Sequence, residues 1–169
     1  DTLLVVGNEA EDRDLDPIES EIYAVNLSDL SRTALTTRDG PDLAPSVSPD
    51  ASKVAYLGYD DLIKSYQQAD LYVMNADGSE VVELAADFDR GFSSVTWHPN
   101  GRSLIAQIEN AGVIDVISVS MEGEVETLVT NLGGTSIGRP YAAGAFTVSD
   151  TRRPVMAYTA GSPDRPAEI

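Results

Sequence analysis

The sequence contains no cysteine. Disulfides, zinc–thiolate sites and thiol catalysis are thereby excluded, while the cellular compartment stays open. Histidine is almost as scarce: His98 is alone in 169 residues, so any Ser–His chemistry within the chain has one ring to run through. Positive charge is also short. Eleven Lys and Arg stand against 28 Asp and Glu, a net charge of −17. A field of that sign repels phosphate backbones and anionic lipid, so no nucleic acid and no membrane is expected as a partner, and the acidity reads as a solubility device. No apolar run approaches the ~18 residues of a membrane span. The opening stretch DTLLVVGNEAEDRDLD has neither a basic leader nor an apolar run long enough for a secretory signal. Helical spacing is missing too. Only residues 59–69, YDDLIKSYQQA, have room for a turn of helix, and they read better as an extended loop.

What is present is a repeat. Ser48-Pro49-Asp50-Ala51-Ser52-Lys53-Val54-Ala55-Tyr56 aligns with His98-Pro99-Asn100-Gly101-Arg102-Ser103-Leu104-Ile105-Ala106, and residues 149–158 repeat the pattern with a slightly longer turn. Asp50, Asn100 and Asp150 stand 50 residues apart. A second element recurs as EIYAVN at 21–26, DLYVMN at 70–75 and DVISVS at 115–120, each followed by a turn and a further strand at 32–35, 80–84 and 124–129. Val, Ile, Tyr and Thr fill these short runs, as half-buried strands require. Asp77-Gly78 and Gly123 supply the positive φ angles of tight hairpins. Four antiparallel strands in about 45 to 50 residues is the period of a propeller blade. A sandwich of about a dozen short strands is the competing all-β reading, and it leaves the period unexplained.

The fold class predicted is therefore all-β: a partial β-propeller of four-stranded antiparallel blades, with two complete blades and a partial blade at each end. The single domain, 1–169, divides into a partial blade at 1–37, blades at 44–86 and 93–130, and a partial blade at 144–169. Residues 2–7 match a second strand with no first strand before it, and 167–169 stand where a third strand begins. Both ends thus cut through a blade, and the expectation is a piece of a longer chain.

Residues 71–78, LYVMNADG, followed by 95–101, VTWHPNG, resemble the blade repeat of the propeller domains of prolyl oligopeptidase family serine peptidases, on the acylaminoacyl-peptidase-like branch. The segment 155–169, VMAYTAGSPDRPAEI, is similar to that family's run of apolar strand, Ser-rich loop, Pro, acidic residue and next strand. The resemblance spans nearly the whole chain. The blade motif is shared with the periplasmic propeller of the Tol translocation system, and the polar insertions at 9–20 and 59–69 favour the peptidase. The resemblance implies a hydrolase whose propeller caps a separate α/β-hydrolase domain and restricts it to short peptides. That domain would supply Ser, Asp and His; this chain departs from the pattern in lacking it. The partners implied are the hydrolase domain of its own parent chain and, in the intact protein, short peptides, with no cofactor. Unpaired strand edges at the partial blades add the expectation of a homo-oligomer.

The candidate site residues each meet a plainer reading. Gly134-Thr135-Ser136-Ile137-Gly138 matches the G-x-S-x-G of a nucleophile elbow, which needs a strand before the Ser and a helix after it. Gly138-Arg139-Pro140 obstructs that helix, and His98 lies upstream of Ser136, against the Ser–Asp–His order. Ser136 therefore reads as loop, and His98 as a turn residue in the place of Ser48. Asp12-Arg13-Asp14-Leu15-Asp16 imitates a calcium loop, but its sixth position is Pro17 and its twelfth Tyr23. Asp60 and Asp61 have the residue type for an acid–base pair, yet neighbours on an extended loop point apart. Trp97 reads as a core residue of an inner strand rather than a stacking platform. Arg152-Arg153 has the geometry for a peptide carboxylate, but falls in a turn. No residue is assigned to catalysis, a cofactor or a metal. Besides the peptidase fragment, a binding propeller of the Tol type and an independent β-rich enzyme or sugar-binding domain remain open.

Overall fold

The computed structural model describes residues 1–134, 144–162 and 165–168. Every regular element among them is a β-strand, and every strand pairing is antiparallel apart from one isolated bridge between Ser20 and Pro41. No helix among the described residues is long and apolar enough to cross a membrane. The chain forms two compact units, Asp1–Ala86 and Asp87–Ile169.

In the first unit, β1 (Thr2–Gly7), β2 (Glu21–Asn26) and β3 (Arg32–Ala34) form a three-stranded meander. A complete four-stranded blade follows: β4 (Asp42–Val47), β5 (Lys53–Gly58), β6 (Asp70–Asn75) and β7 (Val82–Leu84), in that spatial order. The central strands β5 and β6 are buried along nearly their whole length. This is why their sequences are almost continuously apolar instead of alternating, as strands covered on both faces must be. Ile22 of β2, with Leu4 and Leu35 beside it, packs against Val54, Tyr56, Tyr72 and Met74. Each such burial contributes roughly 1.5–3 kcal/mol.

In the second unit, β8 (Phe92–Trp97), β9 (Ser103–Asn110), β10 (Val113–Ser120) and β11 (Val125–Leu132) form the second blade. A hairpin of β12 (Phe146–Val148) and β13 (Met156–Tyr158) packs on it, setting Phe146, Val148 and Met156 against Ile105, Ile114, Val116 and Leu132. The next strands, β14 (Ala160–Ser162) and β15 (Arg165–Glu168), leave that hairpin and extend the blade to six strands through the pairing of Leu132 with Ala160. Gly133 makes the crossing feasible, because a Cβ there would stand 2.0 Å from the Gly161 nitrogen.

The repeated turns have one wiring scheme. Ser48 N–H donates to Lys53 O (2.9 Å), Lys53 N–H to Ser48 Oγ (2.9 Å), and Ser48 Oγ–H to Asp50 Oδ1 (2.7 Å). In the second blade His98 N–H donates to Ser103 O (2.9 Å), and Arg102 N–H to Asn100 Oδ1 (2.9 Å). Between β12 and β13, Ser149 N–H donates to Val155 O (3.0 Å) and Val155 N–H to Ser149 Oγ (2.9 Å). The first strand of each complete blade also carries a bulge, between Leu43 and Ser46 in β4 and between Phe92 and Ser94 in β8. Pro45 is compatible with its place because β4 is an edge strand.

Candidate functional site

The residues weighed for chemistry are dispersed. Ser136 lies outside the described residues. His98 belongs to its turn: its Nδ1 accepts from Asn100 N–H at 3.1 Å. Asp12, Asp14 and Asp16 sit on an external turn in which Leu15 N–H and Asp16 N–H donate to Asp12 O (2.7 and 3.0 Å). Among the described residues no three His, Cys, Asp or Glu side chains gather as a metal site would require. Asp60 and Asp61 diverge: Asp60 pairs with Arg38, while Asp61 accepts from Ile63 N–H and Gln67 Nε2 (both 2.8 Å). Trp97 is buried on β8 opposite Leu104. Arg152 and Arg153 are exposed in the turn between β12 and β13.

The chemistry concentrates instead on Arg38, which sequence reasoning passed over. It precedes β4 and reaches across the end of the first complete blade. Nε donates to Asp42 Oδ1 at 2.9 Å, and Nη1 to Asp60 Oδ1 at 2.9 Å and Tyr72 Oη at 3.2 Å. Its guanidinium also lies 4.2 Å from the Tyr72 ring centroid, and that ring stacks on Tyr56 with centroids 5.3 Å apart. Asp42 is only 1% exposed and the Arg38 side chain 16%. Burial works against the guanidinium's charge, but Asp42 and Tyr72 outweigh it and hold the Arg38 pKa above its ordinary value. Burial pushes the Asp42 carboxyl up while Arg38 pulls it down, and the net direction is upward. Burial likewise raises the Tyr56 phenol, to about 12. Gly58 leaves the space Asp42 occupies: a Cβ there would meet Asp42 Oδ1 at 2.1 Å.

Above this cluster, residues 59–69 connect β5 to β6 as an irregular loop. Its shape is pinned by Asp61 N–H to Asp39 O (2.8 Å), Leu62 N–H to Gln67 Oε1 (2.6 Å) and the Asp61–Gln67 pair. Between loop and blade lies an open cleft of about 450 Å³, whose lining includes Tyr59, Asp60, Tyr66, Asp70 and Tyr72.

The second blade solves the same corner differently. Across the strands, Asp42 pairs with Gly58 and Gly58 with Asp70; in the second blade Phe92 pairs with Ile108, each fifty residues on, and Ile108 with Asp115, 45 residues after Asp70. Phe88 and Phe92, whose ring centroids are 5.8 Å apart, stand where Arg38 and Asp42 stand. The signal that finds the cluster is thus the 50-residue alignment itself, read for differences. Asp115, 4% exposed, accepts from Asn110 Nδ2 (2.7 Å) and Asn131 N–H (2.9 Å).

No protein-family model matches the chain. It is similar to the Tol-Pal system protein TolB of Ruthia magnifica, 25% identical over 112 residues, which are 64% of this chain and 25% of that protein. It is also similar to dipeptidyl-peptidase 5 of Aspergillus fumigatus, 32% identical over 74 residues, 43% of this chain and 10% of that protein. The solved structure of TolB from Acinetobacter baumannii superposes with a TM-score of 0.67 at 20% identity, covering 98% of this chain and 36% of TolB. The chain therefore spans about a quarter and about a tenth of the two curated relatives. Its fold is that of a partial β-propeller.

Proposed function

We propose that the chain is a non-catalytic propeller segment of a prolyl oligopeptidase family serine peptidase, of the acylaminoacyl-peptidase-like kind. In that role it caps an α/β-hydrolase domain of the same parent chain and limits entry to short peptides. The observation that carries this reading is the 32% identity with dipeptidyl-peptidase 5, higher over its 74 residues than the 25% with TolB. The wiring of His98 into a turn agrees with it, since a capping segment supplies walls and the other domain supplies the triad. The edge of β1, which pairs among the described strands with β2 alone, offers a place for a strand from a second copy.

A second reading, a binding propeller of the Tol type, is favoured by the longer reach of the TolB likeness, 112 residues against 74. Sequencing the gene on both sides of the chain distinguishes them. A downstream G-x-S-x-G followed by Asp and then His is expected. Further blades followed by a stop codon, with no hydrolase domain on either side, would overturn the peptidase reading.

A further inference from the structure

Asp70 and Asp115 hold the same lattice position on the third strands of their blades, and their surroundings differ in kind. Asp115 has both carboxylate oxygens satisfied, by Asn110 and by the Asn131 backbone. The side-chain carboxylate of Asp70, half-buried, receives no hydrogen bond from any described residue. Burial raises its pKa, Arg38 pulls it down, and Asp60 raises it further. The guanidinium of Arg38 is already engaged by Asp42 and Asp60. The first blade therefore keeps a desolvated carboxylate without the partners its repeat supplies.

That carboxylate lines the cleft of about 450 Å³ under residues 59–69. Three further features give the cleft its character. Tyr59 and Tyr66 line it with rings that stack on no described aromatic, and Tyr66 is 68% exposed. Leu62 adds an apolar surface, 61% exposed. The charged lining is Asp60, Asp70 and Glu83 against Lys64 alone. The loop is also held in shape at some strain: Ile63, a β-branched residue, has φ of 54°.

We propose that this cleft binds an organic cation, an ammonium or guanidinium on an apolar stem, with Asp70 as its counter-ion and Tyr59 and Tyr66 as its walls. A carboxylate acceptor forms charge-assisted hydrogen bonds with such a head group, and tyrosine faces attract it through their quadrupole. The stem packs on Leu62, and anions are turned away by the acidic rim. The inference stands independently of the peptidase reading.

The test is a ¹H–¹⁵N NMR titration of the 169-residue chain at neutral pH with N-acetylarginine methylamide. Its neutral isostere, N-acetylcitrulline methylamide, serves as control. Saturable shifts confined to residues 59–72 and Glu83 are expected with the arginine compound, and none with the citrulline compound. Asp70→Asn, which is isosteric, should weaken binding at least about tenfold, as loss of a charge-assisted bond predicts. Tyr66→Ala, on the exposed loop, should weaken it severalfold with the rest of the spectrum unchanged. Equal shifts with both compounds would overturn the proposal, as would undiminished affinity in Asp70→Asn. Binding that emerges only in Lys64→Ala would also overturn it, by making Lys64 the cleft's own occupant.

Discussion

At positions 38 and 42 the first complete blade places an arginine and an aspartate, whereas at 88 and 92 the second places two phenylalanines. Both pairs close the same corner of a blade, one through a 2.9 Å ion pair and the other through tilted rings. The chain thus carries its own comparison of a buried ion pair with an apolar replacement. Such replacements are commonly neutral or stabilising, so the corner itself does not require the charges. What accompanies them differs as well. The second blade joins β9 to β10 through Ala111 and Gly112 alone, with φ of 51° and 85°, while the first inserts residues 59–69 at that point. Arg38 holds Asp60 of the insertion, so the charged corner anchors a loop that the apolar corner lacks.

The largest expected effect comes from breaking one half of the charged corner. Arg38→Phe strands Asp42 at 1% exposure and should cost the first unit about 3–5 kcal/mol in urea unfolding. Arg38→Phe/Asp42→Phe, which copies the second blade, should recover most of that loss; a double variant as unstable as the single would mean that the two corners are not interchangeable. Next in size is the buried carboxylate of the second blade. Asn110→Ala removes one of the two hydrogen bonds to buried Asp115 and should cost about 1–3 kcal/mol.

A smaller change, of opposite sign, is expected at Ser20. Its buried Oγ has no hydrogen-bond partner among the described residues, whereas Ser48 Oγ is fully used. Ser20→Ala should leave stability unchanged or raise it by about 1 kcal/mol, and a measured loss would reveal a hidden partner. The smallest effect separates the repeated turns by pH. The Ser48 hydroxyl and the Ser52 backbone and hydroxyl hold Asp50 down at about 2, below its ordinary 3.8. Its contribution is therefore present above 3.8 and lost as pH falls toward 2. The Tm difference between wild type and Asp50→Ala should shrink over that window, while the difference for Asn100→Ala, at the uncharged equivalent, should not follow an aspartate titration.

The blade repeat was legible in the sequence because its information is local. The Ser48–Lys53 turn closes within five residues, and Asp50 and Asn100 mark it at a fixed spacing. The all-β architecture follows from such turns and the apolar runs between them. The Arg38 cluster was not legible in the same way. Its partners Asp60 and Tyr72 lie 22 and 34 positions away and meet it only once the sheet register is set. Nor does local chemistry announce that β14 and β15 leave β13 to extend the second blade, since that step rests on the single pairing of Leu132 with Ala160. Asp60 shows both halves at once: its divergence from Asp61 was readable from loop geometry, its attachment to Arg38 was not.

The pinned insertion also bears on where the chain tolerates being cut. Six consecutive cross-strand pairs, from Lys53 with Asn75 to Gly58 with Asp70, join β5 to β6 independently of the peptide bonds between residues 59 and 69. Lys64 is exposed near the middle of that connection. A tryptic nick after Lys64 would therefore leave two fragments that travel together on gel filtration and separate only in denaturant. The same position suits new chain ends, so the first blade can be reopened and its cleft remodelled without dismantling the sheet beneath it.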